Sequence, residues 1–404
     1  MTDTLLILVD MYGVKLILST KSRNYSNKLL FTFKKNTYLC QQKIISPMQT
    51  DLEIFAMRLK QARILKKISM DKLVDLIGGI VTKQAISKYE SAKMMPGSTA
   101  LIAISTALEV EPDYFFRPFS FDVNQFDVSF RKKSDTTAKD VNALKVQIQD
   151  QVERYLEVEE LLGSPTESIC RKGGGPLSTS EQMRQLAKEI REEWNLGDDA
   201  IANVQDILES KGIKVISTEA PEGFDGVSGV VNRKDYIIVL NSARKHVERR
   251  RFTGMHELGH LLYNDRFAED LTPRQREKLC DSFANEMLLP SDTLRKVFKP
   301  GDRISTSELK QLQLIYGISI DAIMHKLHEI GIVSESKYKS YCINKSKNES
   351  LKKFVEESRY VENLTNRFET MVYSAAAKDL ISTSKAASLL HSSITTVRKH
   401  LNVI

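Results

Sequence analysis

The sequence predicts a multidomain, mainly α protein. It has a unit of five short helices near the N-terminus, an α+β unit with a small sheet, and then C-terminal helices. Three observations predict this. The 404 residues exceed a single domain of about 100–200 residues. Apolar residues recur at helical spacing over most of the chain, bounded by Ser and Thr caps. The β-rich stretch VSGVVNRKDYIIVLN divides into two runs around the polar Asn232–Asp235 turn. Hydrophobic residues at 41% suffice to bury a core and are too many for wholesale disorder.

Residues 1–47 read as a mis-assigned leader or a disordered segment, with Met48 as the true start. The run Leu5–Val9 is too short for a secretory signal, and Asp3 and Asp10 flank it. No apolar run approaches the roughly 20 residues that span a bilayer. Cys40, Cys170, Cys280 and Cys342 form no CxxC pair, so a reducing cytoplasm is expected and a disulfide scaffold is not. The net charge is +7, but residues 1–47 hold seven Lys/Arg against two acids. The rest is nearly balanced, so nucleic-acid contact has to rest on a local motif.

Residues 51–117 form the first unit. Leu52, Phe55, Leu59, Ala62 and Leu65 lie at helical spacing with basic residues opposite. Ser69 caps a second helix that stops at Gly78-Gly79, Thr82 caps KQAISKYES, and STALIAISTALEV and EPDYFF complete five helices. Residues 118–180 read as a connector. A long helix over 140–162 carries Leu144, Ile148, Val152 and Leu156 on one stripe, and the Gly/Pro/Ser-rich SPTESICRKGGGPLSTS follows as a flexible linker. Residues 181–330 read as the α+β domain and 331–404 as a helical C-terminal region.

The chemistry concentrates at His256-Glu257-Leu258-Gly259-His260. On a helix, positions i and i+4 share a face, so both imidazoles can reach one metal ion, and Glu257 stands beside the first. A third ligand is required, and no HxxGxxH extension supplies it. Glu277, Asp281 and Glu286 on a following helix (277–289, stopped by Pro290) are candidates. Glu277 and Asp281 share a face, and spacing leaves the choice between them open. Two imidazoles and a carboxylate suit Zn2+.

RFTGMHELGHLLYN followed by EKLCDSFANEMLLP resembles the ImmA/IrrE family of metallopeptidases. That resemblance covers about residues 181–330 and implies a reduced zincin fold. It implies His256, His260 and Glu277 as zinc ligands and Glu257 as general base. The zinc would activate water and polarise a peptide carbonyl. Cys280 and Asp281 stand where the family usually has Ala and Asn, which keeps Asp281 as an alternative ligand or a group orienting a histidine. The strand ending at Ile237–Leu240 is expected to offer an edge to an extended substrate. Asn241 and Tyr263 are weighed as oxyanion donors and read instead as a turn residue and a helix-surface residue.

SMDKLVDLIGGIVTKQAISKYESAKMMPGS resembles the XRE/Cro-type helix-turn-helix. The resemblance implies that Thr82, Lys83, Gln84, Ser87 and Lys88 face double-stranded operator DNA, with Gln84 reading adenine. Ile86 and Tyr89 read as core, and Glu90 as holding the turn. The connector helix is the expected surface for a homodimer. STSKAASLLHSSITTVRKHL has the outline of another helix-turn-helix, with Ser382 and Ser392 as caps, but reads as helical packing. His325 and His328 read as structural, His391 and His400 as surface residues. Together these imply a DNA-binding regulatory zinc endopeptidase, its activity open to latency, whose protein substrate is a partner transcriptional repressor. The alternative is a transcriptional repressor or antitoxin with a structural or inactive zinc site.

Overall fold

The computed structural model describes residues 50–119, 138–163, 169, 173–221, 223–232, 234–243, 246–362 and 366–401. The expectations for residues 1–47 and for most of the linker lie outside them. Among the described residues are seventeen α-helices and one three-stranded sheet, the mainly α architecture that the sequence predicts. No described helix is long and apolar enough to cross a membrane.

The first helices are α1 (Asp51–Leu65), α2 (Met70–Leu76), α3 (Lys83–Glu90) and α4 (Ser98–Leu108). A 3-10 turn at Pro112–Phe116 is the fifth. Thr50, Ser69 and Thr82 cap α1, α2 and α3 through their side-chain oxygens. Phe55, Leu59, Leu73, Ile86, Ile104 and Leu108 form their common core. One basic residue expected on the solvent side of α1 is buried instead. Arg58 donates to the carbonyls of Arg117 and Pro118 and pairs with Glu153 of α5 (Ala138–Leu161).

α6 (Ser180–Glu193) and α7 (Val204–Ser210) precede β1 (Lys214–Thr218), β2 (Gly226–Val231) and β3 (Asp235–Asn241). The sheet order is β1-β3-β2, with β1 parallel and β2 antiparallel to β3. This corrects one expectation: β3 lies in the middle and has no free edge, while β2 is an edge strand. The sheet is buried on both faces. Tyr236, Ile238 and Leu240 turn to one side with α8 (Val247–Tyr263). Ile216, Val227, Val231, Ile237 and Val239 turn to the other, where Leu144, Ile148 and Val152 of α5 cover them. Buried Lys214 of β1 adds ion pairs to Glu159 of α5 and Asp235 of β3. The stripe of α5 expected to join two copies is therefore consumed within one chain.

α9 (Pro273–Leu288) starts at the Thr272 cap with Pro273 in its first turn, four residues earlier than the sequence suggested. α10 (Ser291–Val297), α11 (Thr306–Tyr316), α12 (Ile320–Glu329), α13 (Glu335–Lys347) and α14 (Glu349–Glu356) follow. The linker is not loose at its end, because Leu177 is buried and bridges Phe267. α15 (Arg367–Ala377), α16 (Thr383–Leu390) and α17 (Ile394–Leu401) pack together around Val372, Ala386, Leu389 and Val397, with Val158 of α5.

The N-terminal end of α8 is anchored by Arg251, a fully buried guanidinium. It donates to the carbonyls of Ile201, Ala202, Tyr316 and Gly317, pairs with Glu362 and lies over the Tyr360 ring. Arg251→Ala deprives buried Glu362 of its closer charge partner and four backbone carbonyls of their donor, and should cost about 3–5 kcal/mol. Arg250, 3.6 Å from the same carboxylate, should matter far less when changed to Ala. Urea midpoints of the two variants test this. Glu209, on α7, is buried, and desolvation pushes its carboxyl up to about 7. The unfolded chain loses that proton first, so stability should fall as pH rises from about 4.5 through 7. Glu209→Gln should flatten that decline in urea midpoints taken at successive pH values.

Candidate functional site

α8 reaches the site because it is buried on two sides. Against the sheet, Gly226 of β2 permits the approach, since a Cβ there would stand 2.6 Å from the Thr253 methyl and 2.9 Å from the Val239 carbonyl oxygen. Against α9, a Cβ on Gly259 would meet Phe283 at 3.2 Å and Cys280 Sγ at 3.4 Å. Cys280 is fully buried in that seam. The close crossing brings α9 carboxylates over the histidine face of α8.

His256 and His260 turn their Nε2 atoms towards each other at 3.1 Å. Glu277 places one oxygen 3.3 Å from His256 Nε2 and the other 3.2 Å from His260 Nε2. His256, His260 and Glu277 each offer a ligand atom within 4.8 Å of the others. Ligands about 2.0–2.1 Å from a tetrahedral ion stand roughly 3.3–3.4 Å apart, so the separations seen fit one such ion. Asp281, a turn further along α9, lies 2.7 Å from His256 Nδ1. Its carboxylate accepts the Nδ1 proton, which leaves the Nε2 lone pair of His256 facing His260 and Glu277. The two acids that spacing could not rank thus meet opposite nitrogens of one ring. Phe252 and Phe267 stand beside His256 and His260, ring centroids 6.5 and 6.3 Å away.

Glu257 is buried, and its Oε2 accepts a hydrogen bond from Ser228 Oγ at 2.8 Å. Sequence reasoning missed Ser228. Its only signal is parity: Val227 and Val231 face α5, so Ser228 between them faces α8. Glu286, the third acid considered, is wholly buried in a structural network with Ser291 and Lys326. Asn241 braces its own loop, donating to the Ala220, Pro221 and Phe224 carbonyls. Tyr263 is buried against Phe283 rather than on the helix surface. His328 stacks on Tyr338 and pairs with Glu335 at 2.7 Å, a carboxylate partner the sequence did not suggest. A cavity of about 1020 Å3 opens beside Asp281 and Phe252, with Asp225, Arg249, His325 and Glu356 also in its wall.

In the first helical unit, Thr82, Lys83, Gln84, Ser87 and Lys88 are all exposed on α3, while Ile86 and Tyr89 are core. Two of the five are already engaged. Thr82 Oγ1 caps the helix, and Lys83 pairs with Asp71 at 2.7 Å. Glu90 holds α3 to α1 through a bidentate pair with Arg63, rather than holding the turn.

Residues 59–115 match the helix-turn-helix family model. Residues 208–328 match the model of the IrrE N-terminal-like domain, Peptidase_M78. The chain carries an IrrE-like metallopeptidase-type domain behind a helix-turn-helix. No curated protein matches it. The IrrE-like match spans all three strands and α8 to α12, so it contains His256, Glu257, His260, Glu277 and Asp281. A metal ion follows from the family, and the histidine–carboxylate cluster suits one. Asp281→Asn should weaken metal binding about 10–100-fold. Glu277→Ala and His260→Ala should each release the ion on dialysis against a chelator. Metal content by mass spectrometry checks this, with Glu286→Gln as the variant that keeps its metal.

Proposed function

We propose that this chain is a DNA-binding regulatory zinc endopeptidase that cuts a partner transcriptional repressor in the cytoplasm. The observation that carries the reading is a donor set shared by α8 and α9 beside a separate, oriented carboxylate on α8. His256, His260 and Glu277 make a compact nitrogen–oxygen donor set. Next to it Glu257, which is outside that set, is held in place by Ser228. A structural site has no need for a buried, oriented carboxylate beside its ligands.

Zinc bound by His256, His260 and Glu277 supplies Lewis acidity, polarising the scissile carbonyl and making water more acidic. The chain's own groups do the rest. Ser228 fixes Oε2 of Glu257, so Oε1 takes the proton of the attacking water and returns it to the leaving amine. Asp281 holds the His256 ring in the tautomer that presents Nε2. Among the described residues β2 pairs with β3 along one side only, and its other edge can pair with an extended peptide beside Glu257. The cavity beyond Asp281 and Phe252 gives room for the substrate on that side. Exposed Gln84, Ser87 and Lys88 of α3 suit the major groove of an operator, which would bring the peptidase to a DNA-bound repressor.

The test is incubation of the zinc-loaded chain with the repressor encoded beside it. Glu257→Ala should abolish cutting, a loss of at least 100-fold, while zinc content stays at one per chain. Ser228→Ala should lower the rate more modestly. Equal phenotype and DNA binding in Glu257→Ala, with no repressor cut by either protein, would instead assign the zinc a structural role in a repressor or antitoxin.

A further inference from the structure

The helices α15, α16 and α17 lie outside both family matches and outside the candidate metal site. Their outline is that of the first unit, with three residues rather than six between the paired helices. α2 has seven residues and α3 eight, and α16 and α17 have eight each. Gly78 after α2 and His391 after α16 both take the left-handed conformation, φ 66° and 49°. Thr82 caps α3, and Ser393 caps α17 with its Oγ on Thr396 N; the sequence had suggested Ser392. Three residues separate α16 from α17, the short connection of a helix-turn-helix. α15 closes the unit as the third helix.

The surface of α17 is not that of a packing helix. Val397 is its one buried residue, while Thr395, Thr396, Arg398, Lys399 and His400 are exposed. No Asp or Glu occurs from Leu380 to Ile404. A duplex, with one negative charge per about 1.7 Å of axis, complements such an acid-free, basic face.

The two units also share a support. Arg58 of α1 pairs with Glu153 of α5. The adjoining Arg154 of α5 donates to the Leu389 carbonyl of α16, Lys385 of α16 pairs with Glu157 at 2.5 Å, and His391 stands 3.6 Å from Asp150. The same two turns of α5 therefore hold both. We propose that α15–α17 form a second helix-turn-helix that binds double-stranded DNA together with the first, α5 fixing the two on one chain. Joining two heads raises the effective concentration of the second once the first is bound, the role that dimerisation has for single-headed proteins.

The test uses the full chain and a fluorescent random-sequence duplex, with binding measured by anisotropy over a salt series. The double variant Arg398→Glu, Lys399→Glu should weaken binding at least tenfold and lower the slope of log K against log salt by about two. Lys88→Glu, in the first unit, should leave residual binding that disappears when residues 398 and 399 are also changed. Unchanged zinc content and melting temperature would show that the fold is kept. If the charge reversal disturbs it, Arg398→Gln, Lys399→Gln should still lower the slope. An unchanged affinity and slope would overturn the proposal, as would complete loss of binding in Lys88→Glu alone. Loss of repressor cutting with DNA binding intact would overturn it too, assigning this face to a protein partner.

Discussion

The close packing of α8 between a sheet and α9 is the constraint on which the candidate metal site depends. A helix can place His256 and His260 on one face by its own pitch, but it cannot supply a carboxylate facing them. That requires a second helix at short range, and the crossing is close because position 259 carries no side chain where Phe283 and Cys280 press in. On the other side position 226 carries none where Thr253 and the β3 backbone press in. The same two contacts set Glu277 against the imidazoles and Ser228 against Glu257. The placement of the three candidate ligands and the orientation of Glu257 are thus consequences of one packing arrangement.

A helix buried this completely also has to be fixed along its axis. Arg251 does this with five donors spread over four backbone carbonyls and one carboxylate. Glu362, which also accepts from the Val204 amide, ties the segment after α14 to α7 and α8 together. Ser358 adds a hydrogen bond to Glu248 on the first turn of α8. Residues far from the metal cluster in sequence therefore hold the helix that carries it.

α5 joins the two halves of the proposed function. One stretch of it covers the back of the sheet, and the turns around Asp150–Val158 carry the first helical unit on one side and α15–α17 on another. The helix has little apolar surface left for a second copy. On the proposed reading, the second DNA-binding head comes from the C-terminal helices of the same chain, carried on the same stretch of α5 as the first.

The sequence by itself determined whatever depends on local periodicity. Helical pitch put His256 and His260 one turn apart. Caps at Ser69, Thr82 and Ser382 marked helix starts, and the Asn232–Asp235 turn marked the strand pair. Only the tertiary structure decided what depends on how elements cross. Glu277 and Asp281 lie on one face of α9 and are equivalent to any spacing rule. The angle and closeness of α8 and α9 send one to the Nε2 atoms and the other to Nδ1. Strand order placed β3 in the centre and β2 at the edge, a long-range choice that alternation cannot express. The stripe on α5 announced that it would be covered, but an apolar face carries no address, and the sheet rather than a second copy covers it. Ser228 became visible only through its neighbour Glu257, because a hydroxyl gains a role from what it touches and not from its own position in the chain.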